Sequence, residues 1–161
     1  MTWDALTGAS NRIGEWIAPL ALRIVLGWEY YESGREKFRG ENWFGQVQDR
    51  FPWPFSVVPP DVSWFLATWT ELIGAICLLI GLFTRFWAFS LIVLTIVAIA
   101  AEHWPVSYDN LSELLQGYVI TDQGFGNYKL PLIFVVMLLP LLFTGAGKAS
   151  MDHLLHQRLH R

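Results

Sequence analysis

The chain has 161 residues, of which 53% are hydrophobic and only 16% charged, with a net charge of −3 and a mean hydropathy of +0.36. Soluble domains carry about 25% charged residues, so the composition points to one membrane domain over residues 1–161, and the acidic balance excludes a nucleic-acid footprint. The single cysteine, Cys77, excludes an internal disulfide, and no CxxC pattern is present for metal binding or thiol exchange.

The opening MTWDALTGASNRIGEW lacks the basic and apolar blocks of a cleaved signal, so the first spanning segment is expected to act as its own insertion signal. Spans are expected at about 17–38, 62–83, 86–103 and 129–145. A bilayer core about 30 Å thick needs around 20 helical residues. The first two segments meet that length, and the last two lean on flanking aromatics. From Val62 to Ala101 the only charges are Glu71 and Arg85. Cys77 lies in this stretch and reads as a small core hydrophobe. Thr84-Arg85 alone separates the second span from the third, which demands a tight antiparallel hairpin. The expected fold is all-α: an antiparallel four-helix integral membrane bundle in the lipid bilayer, with both termini on one side.

Between the first two spans, RGENWFGQVQDRFPWPFSVVPPD is broken by prolines and rich in aromatics, and reads as an interfacial loop. Between the last two, NLSELLQGYVI has a short helical pattern, followed by the turn-rich DQGFGN. It reads as a helical lid over the bundle mouth or as a plain connector. Pro140 should bend the fourth span, and Gly145 and Gly147 should stop it. Ser150 is placed to cap a helix in the short tail, residues 146–161. His153, His156 and His160 are spaced like metal ligands, but a solvated basic face is the simpler reading, and no metal site is assigned.

Basic residues divide evenly between the two sides. Arg12, Arg85, Lys148, Arg158 and Arg161 lie with the termini; Arg35, Lys37, Arg39, Arg50 and Lys129 lie opposite. The hairpin and tail carry few acids, which favours cytoplasmic termini in the cell membrane. Trp16 and Trp87 fall at one set of span ends, with Trp43, Trp53, Trp64 and Trp104 at or beyond the other. Indoles favour the headgroup level.

Arg23, Glu29, Glu32 and Glu71 lie inside the apolar spans, where ionisable side chains need a partner, water or a task. At about 100° and 1.5 Å per residue, Arg23, Gly27, Tyr30, Gly34 and Lys37 share one face of the first span. Glu29, Glu32 and Glu36 lie on the opposite face. On the second span Glu71, Gly74, Leu78, Gly81 and Arg85 share a face. Glycine-bearing faces let backbones approach. With depth counted from Ile17 and Val62, Glu71 comes level with Gly27 and about 7 Å from Arg23 along the axis. Arg23, Tyr30 and Glu71 are therefore expected to form a polar cluster, capped at its outer end by Lys37. Such a cluster either fixes helix register or forms a headgroup site or proton path. Glu29 needs another helix, a wet cavity or a second subunit.

The same residues carry a family resemblance. Arg23, Gly27, Gly34 and Lys37 stand in the arrangement R-x3-G-x6-G-x2-K; the second span reads ELIGAICLLIGLFTR, and the tail reads GAGKASMD. In order and spacing over about residues 20–154, these resemble the DoxX/DoxD family of small four-helix membrane proteins. Two departures are seen. Ala146 stands where the family often has proline, and the loop from Glu102 to Asn127 is longer than in minimal members. The resemblance implies four transmembrane helices with cytoplasmic termini. It also implies, for DoxD-type members, a small subunit of a thiosulfate:quinone oxidoreductase.

Two functions from different classes follow. One is a quinone-linked redox subunit acting with a partner protein, or as a homo-oligomer, with Arg23, Tyr30, Glu71, Glu29 and Lys37 near a quinone headgroup. No cofactor is built in, so electrons would enter through the partner. The other is a non-catalytic membrane scaffold or assembly factor whose intramembrane charges are structural. No residue is assigned a catalytic role. Thiosulfate fits poorly, because Arg35, Lys37 and Arg39 are interspersed with Glu36 and Glu41. Transport has little support without broken half-helices or inverted repeats.

Overall fold

Apolar runs become helices and the punctuation between them becomes turns. The computed structural model describes residues 3–159, less the side chains of Asp4, Ala5, Leu6, Ala9 and Arg12. The Arg12 side chain, His160 and Arg161 therefore lie outside the described residues. Among those described, the structure is helical without strands: α1 (Trp3–Arg39), α2 (Pro60–Ile80), α3 (Thr84–Ala98), α4 (Leu111–Gln116), α5 (Lys129–Thr144) and α6 (Met151–Leu159).

The element boundaries differ from expectation in two places. Helix α1 begins at Trp3 and not near Ile17, and it passes through Pro19. The residues before Ile17 are polar but contain no proline, so hydropathy marks only the apolar part of a longer helix. The hairpin turn falls at 81–83, ahead of Thr84-Arg85. Gly81 adopts φ +69°. Its N–H reaches Leu78 O at 3.1 Å, and the N–H of Leu82 reaches Cys77 O at 2.9 Å. This paired closure is the glycine-ended helix stop. Helix α3 can then start at Thr84 and extend through a single wide turn at Ile99–His103.

Helix α1 packs against α2 and α5, and α3 packs against the same two. Leu26, Ala75, Leu78, Ala88, Leu91, Leu138 and Leu141 are fully buried between them. At the far end, the loop after α1 folds onto α2 as an aromatic cap. Phe44 meets Phe51 and Trp64 edge-on at 5.2 and 5.0 Å. Gln48 Nε2 ties the loop by donating to the carbonyls of Phe55, Ser56 and Val58. The expected short helix between the third and fourth spans is α4. Asn110 accepts the Glu113 N–H at 3.0 Å, and Tyr128 OH donates to Leu114 O at 2.8 Å, so α4 is docked onto the start of α5. Pro140 lies inside α5, which continues only to Thr144.

Pro60–Ile80 and Thr84–His103 are long and apolar enough to cross a membrane, by length and composition; Lys129–Thr144 is apolar but shorter. Their outward rows are large and apolar: Phe65, Leu66, Trp69, Ile73 and Ile76 on α2, and Phe86, Phe89 and Ile96 on α3, are exposed.

The glycines discriminate between fold-critical and neutral backbone. Gly81 is left-handed, and a Cβ there would lie 2.5 Å from Ser150 Cβ and 2.8 Å from Arg23 Cζ. Gly14 sits in α1 with nothing within 4 Å of its Cβ position. Gly81→Ala is expected to cost about 1–3 kcal/mol from backbone conformation alone, with the clash added. Gly14→Ala is expected to gain roughly 0.5–1 kcal/mol. Thermal melting of the detergent-solubilised protein checks both, and equal effects would contradict this fold.

Candidate functional site

The polar residues of the α1–α2 interface separate into two clusters. Arg23 is buried at one end, with 1% of its surface exposed. Its Nε donates to Leu78 O at 2.7 Å and Nη2 to Leu79 O at 2.7 Å. Its Nη1 donates to Ala146 O and Ala149 O at 2.9 and 2.8 Å. The last carbonyls of a helix have no intrahelical donor and carry its negative dipole end. Arg23 therefore caps α2 while clamping the loop after α5, with four of its five N–H groups used.

The tail completes this end. Asp152 accepts the N–H groups of Phe83 and Thr84 at 2.7 and 3.0 Å, capping α3. Its own N–H donates to Gly81 O at 2.9 Å. Ser150 accepts the His153 N–H at 3.2 Å and so caps α6, as expected. Lys148 pairs with Glu15 on α1. Gly147 (φ +74°) crosses α1 where a Cβ would lie 2.9 Å from Glu15 O. A groove of about 1070 Å³ opens here, lined by Pro19, Leu22, Phe83, Arg85 and Leu141 among others. Among the described residues, no group of three His, Cys, Asp or Glu side chains is placed to hold a metal.

The second cluster centres on Glu71, which is 3% exposed. Lys37 Nζ donates to both carboxylate oxygens at 2.9 Å, and Ser33 Oγ donates to Oε1 at 3.1 Å. Tyr30 joins neither cluster. Its hydroxyl lies 2.6 Å from Thr95 Oγ1 on α3. Thr95 already donates to Leu91 O at 2.7 Å, so Tyr30 is the donor of the shared bond.

The expected grouping of Arg23, Tyr30 and Glu71 is therefore not formed. Gly27, Gly34 and Lys37 face α2 as expected, but the axial register differs, and Arg85 belongs to α3 rather than to the α2 face. Gly34 packs on Glu71 and Leu72, and Gly27 on Leu79 and Ala75. Glu71 thus lies level with Gly34 and not Gly27, a slip of seven residues or about 10 Å. A helix face nearly repeats every seven residues, so rotation alone cannot detect such a slip. Gly74 also departs from expectation. Its Cβ position lies 3.2 Å from Trp87 and 3.3 Å from Leu91, so it serves the α2–α3 contact. Lys37, expected at the outer end of the cluster, is the direct partner of Glu71. Glu29 is half-buried and Glu32 exposed on the opposite face of α1.

The donors of Arg23, Lys37, Ser33 and Tyr30 are already directed at acceptors within the protein. The Arg23–tail clamp and the Asp152 cap were missed from sequence. The one available signal was the run of polar residues, Ser150 and Asp152, just after a glycine stop.

A DoxX family model matches residues 18–104. The chain belongs to the DoxX family. This DoxX chain is also 46% identical over 143 residues to an uncharacterized protein of Haemophilus influenzae, covering 89% of this chain and 86% of the relative. No solved structure matches it. The matched region holds Arg23, Gly27, Gly34, Lys37 and Glu71, so the motif that marks the DoxX resemblance consists of residues that join α1 to α2 and the tail.

Removing one member of a buried ion pair strands the other and costs about 3–5 kcal/mol. Lys37→Met and Glu71→Gln are each expected to destabilise strongly, with the double variant losing much less than the sum. Denaturant unfolding in mixed micelles checks the cycle; additive losses would mean the pair is not coupled. Arg23→Lys is expected to fail as a replacement, since an ammonium cannot reproduce the guanidinium fork. Trypsin should then cut faster after Lys148, and an unchanged rate would remove the clamp assigned to Arg23.

Proposed function

We propose that this DoxX chain is a multi-pass protein of the cell membrane, in which α1, α2, α3 and α5 form an antiparallel four-helix bundle, and that it serves as a non-catalytic membrane subunit or scaffold working through a partner. The observation that carries this reading is that the buried charged groups are consumed internally. Arg23 is spent on four carbonyls, and Glu71 on Lys37 and Ser33. A group that moves protons or binds a headgroup needs a free donor or acceptor, and of the Arg23 donors only one N–H is left over.

The membrane part is supported by the exposed apolar rows on α2 and α3 and by exposed Leu132, Val136 and Phe143 on α5. Contiguous apolar surface on that scale marks a lipid or protein contact. Both described ends of the chain lie at the Arg23 end of the bundle, since the Lys148 N–H donates to Glu15 O at 3.3 Å. That end is assigned to the cytoplasm. A quinone-linked redox system is the context the family resemblance offers. In that context this chain contributes structure and lipid anchoring, and the electron-carrying group belongs to the partner.

Alkaline carbonate extraction of membranes is expected to leave the chain in the pellet, and a fluorescent protein fused to its C-terminus is expected to be bright. Release by carbonate overturns the membrane assignment. For the scaffold, a short-chain quinone is expected to produce no saturable change in tryptophan emission of the purified protein. Glu71→Gln is expected to lower thermal stability with no accompanying ligand effect. Saturable quenching that disappears in Lys37→Met would replace the scaffold with a quinone-binding subunit.

A further inference from the structure

The outward face of α1 carries charges that the bundle does not use. Glu32, Arg35, Glu36 and Arg39 are exposed and Glu29 is half-buried. Among the described residues, their side chains take part in no hydrogen bond or ion pair; the ion pairs found there are Lys37–Glu71 and Lys148–Glu15. Depth makes this notable. Gly34 packs at Glu71 and Leu72, and Gly27 at Ala75 and Leu79, which brings Glu32 near the level of Ile73 and Glu29 near Ile76. Both isoleucines are exposed. Ile73 lies about 20 Å along the axis from the start of α2 at Pro60, and about 10 Å from its end at Ile80. On the membrane assignment above, on which this inference rests, two carboxylates share the level of a lipid-facing apolar row. Short acidic side chains cannot reach the headgroups from there, and ionisable residues at such depth face protein or water.

We propose that a second copy of this chain covers this face, pairing α1 with α1. Ala21, Val25, Trp28, Glu32, Arg35 and Arg39 recur at alternating spacings of four and three, the seam of a paired helix. Two copies inserted in the same orientation are related by a two-fold axis along the membrane normal, so their α1 helices run parallel. In that arrangement each position meets its counterpart and those one turn away. Glu32, Arg35 and Arg39 then each meet their own counterpart, and each also has an opposite charge of the other copy within one turn: Glu32 beside Arg35, and Arg39 beside Glu36. The stripe interleaves three acids with two bases. A uniformly acidic or basic partner would leave one sign without any opposite charge, whereas a second identical stripe sets an opposite charge within one turn of Glu32, Arg35, Glu36 and Arg39. Toward the Arg23 end the same stripe is apolar, with Val25 46% and Trp28 61% exposed, and Ala21 lets the backbones approach.

The test uses the purified chain carrying Cys77→Ala, reconstituted in phosphatidylcholine vesicles with no other protein present. Under a membrane-permeant oxidant, Trp28→Cys is expected to give a disulfide-linked dimer, and Phe89→Cys, exposed on α3, none. Glu32→Arg or Arg35→Glu, added to Trp28→Cys, is expected to abolish the dimer band. The double exchange is expected to restore it, because opposite signs again face each other one turn apart. Carbonate extraction of the same vesicles separates the two possible failures. A chain that stays with the lipid yet gives no Trp28→Cys dimer, or a dimer indifferent to charge reversal, overturns the pairing and leaves the membrane assignment standing. A chain released by carbonate overturns both.

Discussion

A guanidinium buried where water does not reach must find acceptors, and Arg23 finds them at the one place a helix leaves them spare. The last carbonyls of α2 lack the donors that a further helical turn would supply, and two of them accept from Arg23, Leu78 O in addition to the Gly81 N–H. Two more carbonyls come from the loop after α5. One side chain thereby fixes three segments: the height of α1 against α2, the point at which α2 must stop, and the path of the tail beneath the bundle. Gly81 follows from this. The chain has to turn sharply just where Arg23 arrives, and a Cβ there would intrude on Arg23 and Ser150. Gly147 follows as well, because the tail crosses α1 in close contact.

The tail in turn builds the start of α3. Asp152 supplies acceptors for the N–H groups of Phe83 and Thr84 at the start of α3, and its own N–H is held by Gly81 O. A cap donated by a residue this far along the chain couples the hairpin to the tail. Weakening Arg23 should therefore loosen the α2–α3 turn as well as the tail. The Lys37–Glu71–Ser33 group does the corresponding work further along the α1–α2 interface, with Gly34 allowing the approach that brings Lys37 to Glu71.

Much of this was legible in residue order, and the rest failed for identifiable reasons. Helical rotation placed Arg23, Gly27, Gly34 and Lys37 on the face that meets α2, because 3.6-residue periodicity depends only on spacing. It could not place them in height, because the face nearly repeats every heptad and the apolar run at Ile17 is not where α1 begins. Helix ends decide height, and the end of α2 is set by a φ +69° glycine held against a distant tail. Ser150 was readable as a cap because its target, His153, is three residues away. Asp152 was not, because its targets are far off in sequence. The pairing of Tyr30 with Thr95 was hidden for the same reason: it reaches across the bundle to α3, far off in sequence.

Helix α1 is therefore two-sided in a physical sense. On its inner side, Arg23, Tyr30 and Lys37 are each answered by a neighbour, so that side needs nothing further to be stable. On its outer side, Glu29, Glu32, Arg35, Glu36 and Arg39 are answered by nothing within the described chain. If all these charges served only insertion and register, their partners would be expected inside the bundle, as with Arg23 and Glu71. The separation of satisfied from unsatisfied groups by helix face shifts the functional weight of the family motif. Its arginine, glycines and lysine hold the molecule together, and the charged positions between them face outward, without a partner among the described residues.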